Sequence, residues 1–493
     1  MTTPALSAHL AADERAVLER VPRQLFLAGR WKDGREGLMV EDPATGEPLC
    51  EVADAGPEDA RRALDAATTV QERWAATPAR VRSELLRAAF EAVHARADEL
   101  VLLMTLESGK PLAEARAELE YGADFLRWYA EEAVRPPGDY RFAPGGDKRI
   151  LMTAQPVGPC LLITPWNFPL AMVTRKLGPA LAAGCTAIVK PPAQTPLTAL
   201  VLAEILEDCG LPEGVLSVLP TGRAAALVEP LLADRRLRKL SFTGSTEVGR
   251  QLAARAAGNL LRISMELGGN APFLVFEDAD LPRAVDSAVL AKLRNTGQSC
   301  TAANRFLVHE QVSEEFGARF AARLASLTVG RGTDPEVAVG PLIDAEARER
   351  VEALVHGAVD RGAELLCGGE APAGPGYFYR PTLLGSVPGD APITRAEIFA
   401  PVAPISTFTN EEEALRLANA TDWGLVAFVH THQLERALRV GERLQVGMVG
   451  INRGMVSEAS APFGGVKQSG LGREGGAEGM REYLDTKYLA VAP

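Results

Sequence analysis

The chain predicts an α/β protein built on parallel sheets, and three observations carry that reading. Between about residues 157 and 243, short strand-like runs alternate with helix-like segments, the pattern of βαβ units. The alternation resumes from about Leu267 to Phe463, which predicts a second α/β region. Apolar residues make up 47% and charged residues 24% of the 493 positions, an ordinary globular composition that argues against disorder. At roughly 150 residues per domain, such a chain makes about two to four domains.

The elements follow in order. Over residues 57–133, apolar side chains recur at three- and four-residue spacings, predicting helices at 57–74, 77–108 and 110–134. The pattern then breaks at Pro136-Pro137-Gly138 and Pro144-Gly145-Gly146, which flank short runs such as 149–153 and predict a hairpin standing off the body. Strands are expected at 160–164, 187–190, 215–219 and 239–242, with helices at 171–183, 196–209 and 224–232 between them. The second region carries strand-like runs at 272–276, 306–309, 403–408, 427–431 and 448–452. A last short strand at 488–491 is free to pair with the hairpin or with a neighbouring subunit.

Charge and cysteines narrow the function classes. The formal net charge of −12 argues against a nucleic-acid binder, which needs basic surface. Apolar runs such as Leu100–Met104 fall far short of the ~20 residues a membrane span requires. Residues 1–20 lack an apolar core, so no secretory signal is expected. The six cysteines form no C-x-x-C pair, which excludes zinc ribbons and thioredoxin-like motifs and suggests reduced thiols. A cytoplasmic enzyme is expected. The six histidines lack metal-ligand spacing; His430-x-His432 has no evident third ligand, and no metal site is predicted.

Ligands of parallel sheets gather at the carboxyl ends of the strands, which directs attention to Trp166-Asn167, Lys190, Pro220-Thr221-Gly222 and Thr243-Gly244-Ser245. The last of these opens a helix. Backbone N–H groups there suit a phosphate, but Ser245 also serves as a plain N-cap, and the spacing is not G-x-G-x-x-G. Gly297-Gln298-Ser299-Cys300 brings a cysteine onto a small-residue turn, as a nucleophile or as an ordinary free thiol. No histidine lies within eight residues of it. Glu266, in Met265-Glu266-Leu267-Gly268-Gly269-Asn270, is a carboxylate in apolar surroundings, either a general base or a turn cap. In Pro165-Trp166-Asn167-Phe168-Pro169 a rigid corner projects an amide able to hold an oxyanion.

Together with residues 190–196, 397–401 and 462–465, these motifs resemble the aldehyde dehydrogenase superfamily, in its order, from about Gln24 to Tyr488. The resemblance implies a Rossmann-type cofactor domain (1–137 and 157–267), an α/β catalytic domain (268–466) and a small β oligomerisation element (138–156 and 483–493). It implies Cys300 as nucleophile, Glu266 as base, Asn167 with the Cys300 N–H as oxyanion hole, and Lys176 near the nucleophile. Thr164, Pro165, Trp166, Lys190, Ala193, Gly222, Arg223 and Ser245 would meet the cofactor, with Glu397 and Phe399 at its nicotinamide ribose. A lysine or cofactor charge would then lower the Cys300 pKa.

Within the superfamily, residues 172–176, 292–296 and 463–474 are similar to the succinate-semialdehyde dehydrogenases. That likeness assigns Arg175, Arg294 and Ser457 to the substrate carboxylate; a glutarate semialdehyde would satisfy the same pair of arginines, and a broad uncharged-aldehyde specificity is the alternative. Three positions depart from the family. Ala193 stands where a glutamate would bond the adenosine ribose and repel a 2′-phosphate, so NADP is expected as the favoured cofactor with NAD also used. Arg223 would add a positive partner there, or be a solvated helix-start arginine. Ala302 replaces a second cysteine, so no local redox switch is expected, and Ala400 replaces a glycine. A homodimer or homotetramer is expected.

Overall fold

The computed structural model describes residues 10–492, so the first nine residues of the predicted cofactor domain and of the leader reading, and Pro493, lie outside the described residues. Its centre is an eight-stranded sheet. From one edge the strands run Arg30–Lys32, Leu25–Leu27, Leu216–Val218, Ala187–Lys190, Cys160–Ile163, Lys239–Thr243, Arg262–Glu266 and Gly470–Leu471. The middle five are parallel and the edges antiparallel. Cys160–Ile163 and Ala187–Lys190 are buried at every residue, as expected of parallel strands covered by helices on both faces.

From Cys160–Ile163 the chain steps outward in one direction to Ala187–Lys190 and Leu216–Val218. It then returns to the other side at Lys239–Thr243. The order therefore reverses beside Cys160–Ile163, and a crevice opens there at the carboxyl ends. Register fixes its walls: Ile163 pairs with Lys190, and Thr243 with Glu266.

A second, seven-stranded sheet runs Glu364–Cys367, Thr382–Gly385, Val402–Phe408, Ala303–His309, Ala271–Val275, Val426–His430 and Met448–Ile451. It is parallel except at the Glu364–Cys367 edge. A three-stranded antiparallel sheet of Gly138–Phe142, Arg149–Pro156 and Leu484–Val491 stands apart from both.

Several sequence expectations are corrected. The single helix expected over 77–108 is two, Ala79–Ala95 and Ala97–Ser108, broken at Arg96 (φ −106°, ψ 23°), whose guanidinium is drawn to Glu99 and Glu204. The next helix starts at Leu112 rather than 110, because Pro111 is extended and caps it. The strands Leu25–Leu27, Arg30–Lys32, Glu36–Asp42, Glu47–Asp54, Arg262–Glu266 and Thr382–Gly385 were not anticipated; the first two are only three residues long, too short for periodicity to register. Residues 467–482, assigned to no unit from sequence, return to the first sheet, where Leu471 and Gly470 pair with Met265 and Glu266.

Two further helices pack closely together. Leu112–Ala133 lies against Ala171–Ala183, and Gly122 permits the approach: a Cβ there would stand 3.0 Å from the Leu170 side chain and 3.1 Å from the Ala171 backbone.

Candidate active site

A cavity of about 330 Å³ opens between the two large sheets, and Asn167, Glu266, Cys300, Glu397 and Phe399 line it together with Pro165, Trp166, Met172 and Ser245. Cys300 reaches it through an unusual turn. Asn295, Thr296 and Gly297 all carry positive φ (52°, 57° and 77°). A β-branched residue in that region is strained, and the neighbours hold it: Thr296 bonds Gly340, and Asn295 Nδ2 donates to the Asn167 carbonyl at 2.8 Å. Gly297 is required because a Cβ would strike the Ala400 carbonyl.

Burial pushes the Cys300 thiol up to about 12; the Arg175 and Arg294 guanidiniums pull it down, while Glu397 and Glu266 push it further up. The lysine expected to lower it does not face it. Lys176 is fully buried, bonded to Ser241 Oγ at 3.0 Å and to Glu474, and it is not among the cavity's lining residues.

Glu266 is buried and both its carboxylate oxygens lack a hydrogen-bond partner. Burial holds its pKa well above the usual carboxylate range, Glu474 adds to the rise, and Arg175 and Lys176 oppose it. A water entering the cavity would meet a strong base with unsatisfied acceptors.

Asn167 is less free than its sequence corner implied. Its Nδ2 donates to the Gln298 carbonyl at 2.9 Å, tying it to the cysteine turn; an amide has two donors, so one remains for substrate. Its own carbonyl accepts from Lys110 Nζ at 2.7 Å. Lys110 is paired in turn with buried Glu118, which accepts the Leu170 and Ala171 N–H groups at 2.9 and 3.2 Å and so caps the Ala171–Ala183 helix.

The cofactor-side residues gather in an adjoining groove of about 570 Å³, lined by Thr164, Pro165, Trp166, Lys190, Ala193, Gly222 and Ser245. Its chemistry fits a dinucleotide: burial alone pulls the Lys190 ammonium to about 8, Ser245 caps the twelve-residue Thr246–Ala257 helix whose N-terminus faces the groove, and Val228, Phe242 and Leu252 offer an apolar wall. In the 330 Å³ cavity, which shares Trp166 with this groove, Glu397, raised to about 7 by burial, accepts the Gly269 N–H at 3.1 Å, and Phe399 meets Trp166 edge-on at 5.5 Å. Arg223 does not line this groove. Glu36 and Asp54 hold its guanidinium at 3.0 and 3.5 Å, and Arg255, which was not anticipated, lines the groove instead while paired with Glu229.

On the substrate side, Arg294 Nη1 donates to Ser457 Oγ at 3.2 Å, and its guanidinium lies 4.7 Å from the Phe168 ring centre. The expected partnership of two equivalent arginines is corrected: Arg175 is fully buried, 2.6 Å from Glu474 Oε2 and 4.2 Å from the Phe463 ring centre, its charge already answered by a carboxylate. Glu474 and Glu118 carried no recognisable signal of their own, although Glu474 ends the stretch 463–474.

Known proteins resemble this chain over most of its length. A profile of the aldehyde dehydrogenase family matches residues 31–489. A succinate-semialdehyde dehydrogenase of Paenarthrobacter nicotinovorans is 57% identical, over 90% of this chain and 99% of that one. A glutarate-semialdehyde dehydrogenase of Pseudomonas aeruginosa is 46% identical, over 95% and 97%. The crystal structure of an Escherichia coli NADP-dependent enzyme matches with a TM-score of 0.95 at 45% identity, covering 96% of this chain and 98% of that one.

Proposed function

The chain belongs to the aldehyde dehydrogenase family, and on that premise we propose that it oxidises succinate semialdehyde, or a close short semialdehyde such as glutarate semialdehyde, to the dicarboxylate with NADP+ or NAD+. The observation that carries this reading is the Arg294–Ser457 pair beside the cavity that holds Cys300 and Glu266. A guanidinium and a hydroxyl set side by side match a carboxylate at the far end of a short aldehyde.

Cys300 Sγ, once deprotonated, adds to the aldehyde carbon and forms a thiohemiacetal. The oxyanion that develops is held by the free Asn167 N–H and the Cys300 backbone N–H. NADP+ or NAD+ held by Lys190, Ser245 and Glu397 would supply the hydride acceptor that oxidation of this carbon to a Cys300 thioester requires. Glu266 takes a proton from water, the resulting hydroxide attacks the thioester, and Cys300 leaves as thiolate while the acid departs. Arg175 contributes charge to Cys300 rather than a direct contact with substrate, since Glu474 holds it. Lys190, Ser245 and Glu397 bind and orient the cofactor. Ala193 leaves the adenosine ribose without a facing carboxylate, which supports NADP as the favoured cofactor, as in the Escherichia coli NADP-dependent enzyme of similar fold.

The enzyme works as a homodimer or homotetramer in the cytoplasm. Tyr140, Phe142, Tyr488, Leu489 and Val491 are all exposed on the three-stranded sheet, an apolar edge that pairing between subunits would cover. All six cysteines are free thiols, as a reducing compartment favours. Among the described residues no helix is long and apolar enough to cross a membrane.

The substrate reading is tested by kcat/KM for succinate semialdehyde against butanal in the native enzyme and in Arg294→Ala. The variant is expected to lower the ratio of the two roughly a hundredfold, as removal of one partner of a desolvated charge pair does. Equal losses on both aldehydes would replace the semialdehyde reading with a broad specificity.

A further inference from the structure

Outside the residues already assigned, one polar group next to the substrate side lacks a partner. The hydroxyl of Tyr121 is buried and makes no hydrogen bond. Tyr121 lies on the Leu112–Ala133 helix, is packed on the Phe168, Ala171 and Met172 cluster, and is braced edge-on by Phe125 at 4.9 Å. The guanidinium carbon of Arg294 is 5.5 Å from its ring centre. With Ser457, Tyr121 lines a separate cavity of about 320 Å³ whose other walls include His94, Arg127 and the carboxylate residues Glu120, Asp124 and Glu458.

Arginine side chains only donate hydrogen bonds, so the Arg294 guanidinium offers this O–H no acceptor. A buried hydroxyl without one is unfavourable. A carboxylate is acceptor-only, with room for about four hydrogen bonds, and Arg294 and Ser457 leave some of that capacity unused.

We propose that Tyr121 is a specificity-determining residue, its O–H donating to the carboxylate of the substrate held by Arg294 and Ser457. This rests on the semialdehyde reading above. An anion arriving at Arg294 then gains a third donor, whereas an uncharged aldehyde leaves the hydroxyl unpaired, so the group adds selectivity for a carboxylate rather than affinity for aldehydes in general. The aromatic ring keeps the guanidinium in place from one side while the hydroxyl reads the anion it binds.

Tyr121→Phe keeps the ring and its packing and removes only the donor. With NADP+ in excess, kcat/KM for succinate semialdehyde and for butanal is measured in the full-length native enzyme, Tyr121→Phe, Arg294→Ala and the double variant. The expected result is a roughly tenfold fall in the succinate-semialdehyde-to-butanal ratio for Tyr121→Phe, expressed mainly in KM, and a double variant less impaired than the two single losses multiplied together. If Arg294→Ala lowers the ratio and Tyr121→Phe does not, the role of Tyr121 is overturned and the substrate reading stands. If neither variant lowers the ratio, both fall together.

Discussion

Lys176 and Glu474, 298 positions apart, form a fully buried ion pair behind the catalytic cavity. The same carboxylate holds Arg175 at 2.6 Å and accepts Ser241 Oγ at 3.3 Å. One glutamate from the returning C-terminal segment thus pairs with two consecutive cations of the Ala171–Ala183 helix, and its charge also pushes the Glu266 pKa upward.

Glu474→Gln removes that charge and leaves two cations without their partner. Breaking a buried pair from one side costs about 3–5 kcal/mol, so a fall of that size in unfolding free energy is expected in denaturant titrations at pH 7. Lys176 and Arg175 lower the Glu474 pKa, against the upward effect of burial. The stabilisation is therefore complete above the ordinary carboxylate range and is lost as pH falls through the depressed value. The difference between native and variant should accordingly narrow in acid. A difference that widens in acid would contradict this assignment of charge.

Glu266→Gln separates the two half-reactions. With the base removed, the thioester should accumulate: one equivalent of reduced cofactor per active site forms in a burst, followed by steady turnover slowed roughly 10²- to 10⁴-fold. Stability moves the other way. A carboxyl whose folded pKa is raised is protonated in the fold while the unfolded chain has already ionised. Native stability therefore declines as pH rises from the ordinary range toward the raised value, by about 1.4 kcal/mol per pH unit. Glutamine does not titrate. Thermal melting at pH 5 and pH 8, at fixed protein concentration, should show the variant gaining on the native enzyme as pH rises. A linear trace of reduced cofactor with no burst would place the base elsewhere.

The strand ends that line the cofactor groove were readable because short strand-like runs end on an apolar residue followed at once by a polar one: Ile163 before Thr164, Val189 before Lys190, Phe242 before Thr243. The cavity's chemistry was readable for the same reason at Asn167, Glu266 and Cys300, each in a short motif of glycines, prolines or small residues. What could not be read is pairing over long range. Arg223, after Gly222, reads equally as a groove residue or as a solvated helix-start arginine; it stands at the N-cap of the Ala224–Ala233 helix, half exposed, with Glu36 and Asp54 in a hairpin of weak periodicity holding it off the groove. Lys176 is adjacent to the site in sequence, but its direction is set by Glu474. Lys110, just before the Leu112–Ala133 helix, and Glu118 within it hold the Asn167 loop through its carbonyl and the helix start at Leu170, and the spacing there marks only burial. A buried charge pair has no local period, so its partner becomes visible only when the chain is folded.

Cofactor choice offers the last test. The adenosine side of the groove presents Lys190 and Arg255 as cations and Ala193 as a neutral neighbour; Arg255 is tied to Glu229, so Lys190 is the cation not engaged by a carboxylate. A 2′-phosphate placed beside Lys190 gains a charge-assisted contact and meets no repulsion from position 193. Ala193→Glu introduces a carboxylate at that point. Juxtaposed like charges cost several kcal/mol, so kcat/KM with NADP+ should fall at least tenfold, while NAD+, whose ribose hydroxyls can donate to the new carboxylate, should be used as well as before or better. Measured with succinate semialdehyde held saturating, the ratio of the two cofactor efficiencies is the readout. A native enzyme that already favours NAD+, or a ratio unmoved by Ala193→Glu, would mean that position 193 does not face the 2′ position and that selection lies elsewhere in the groove.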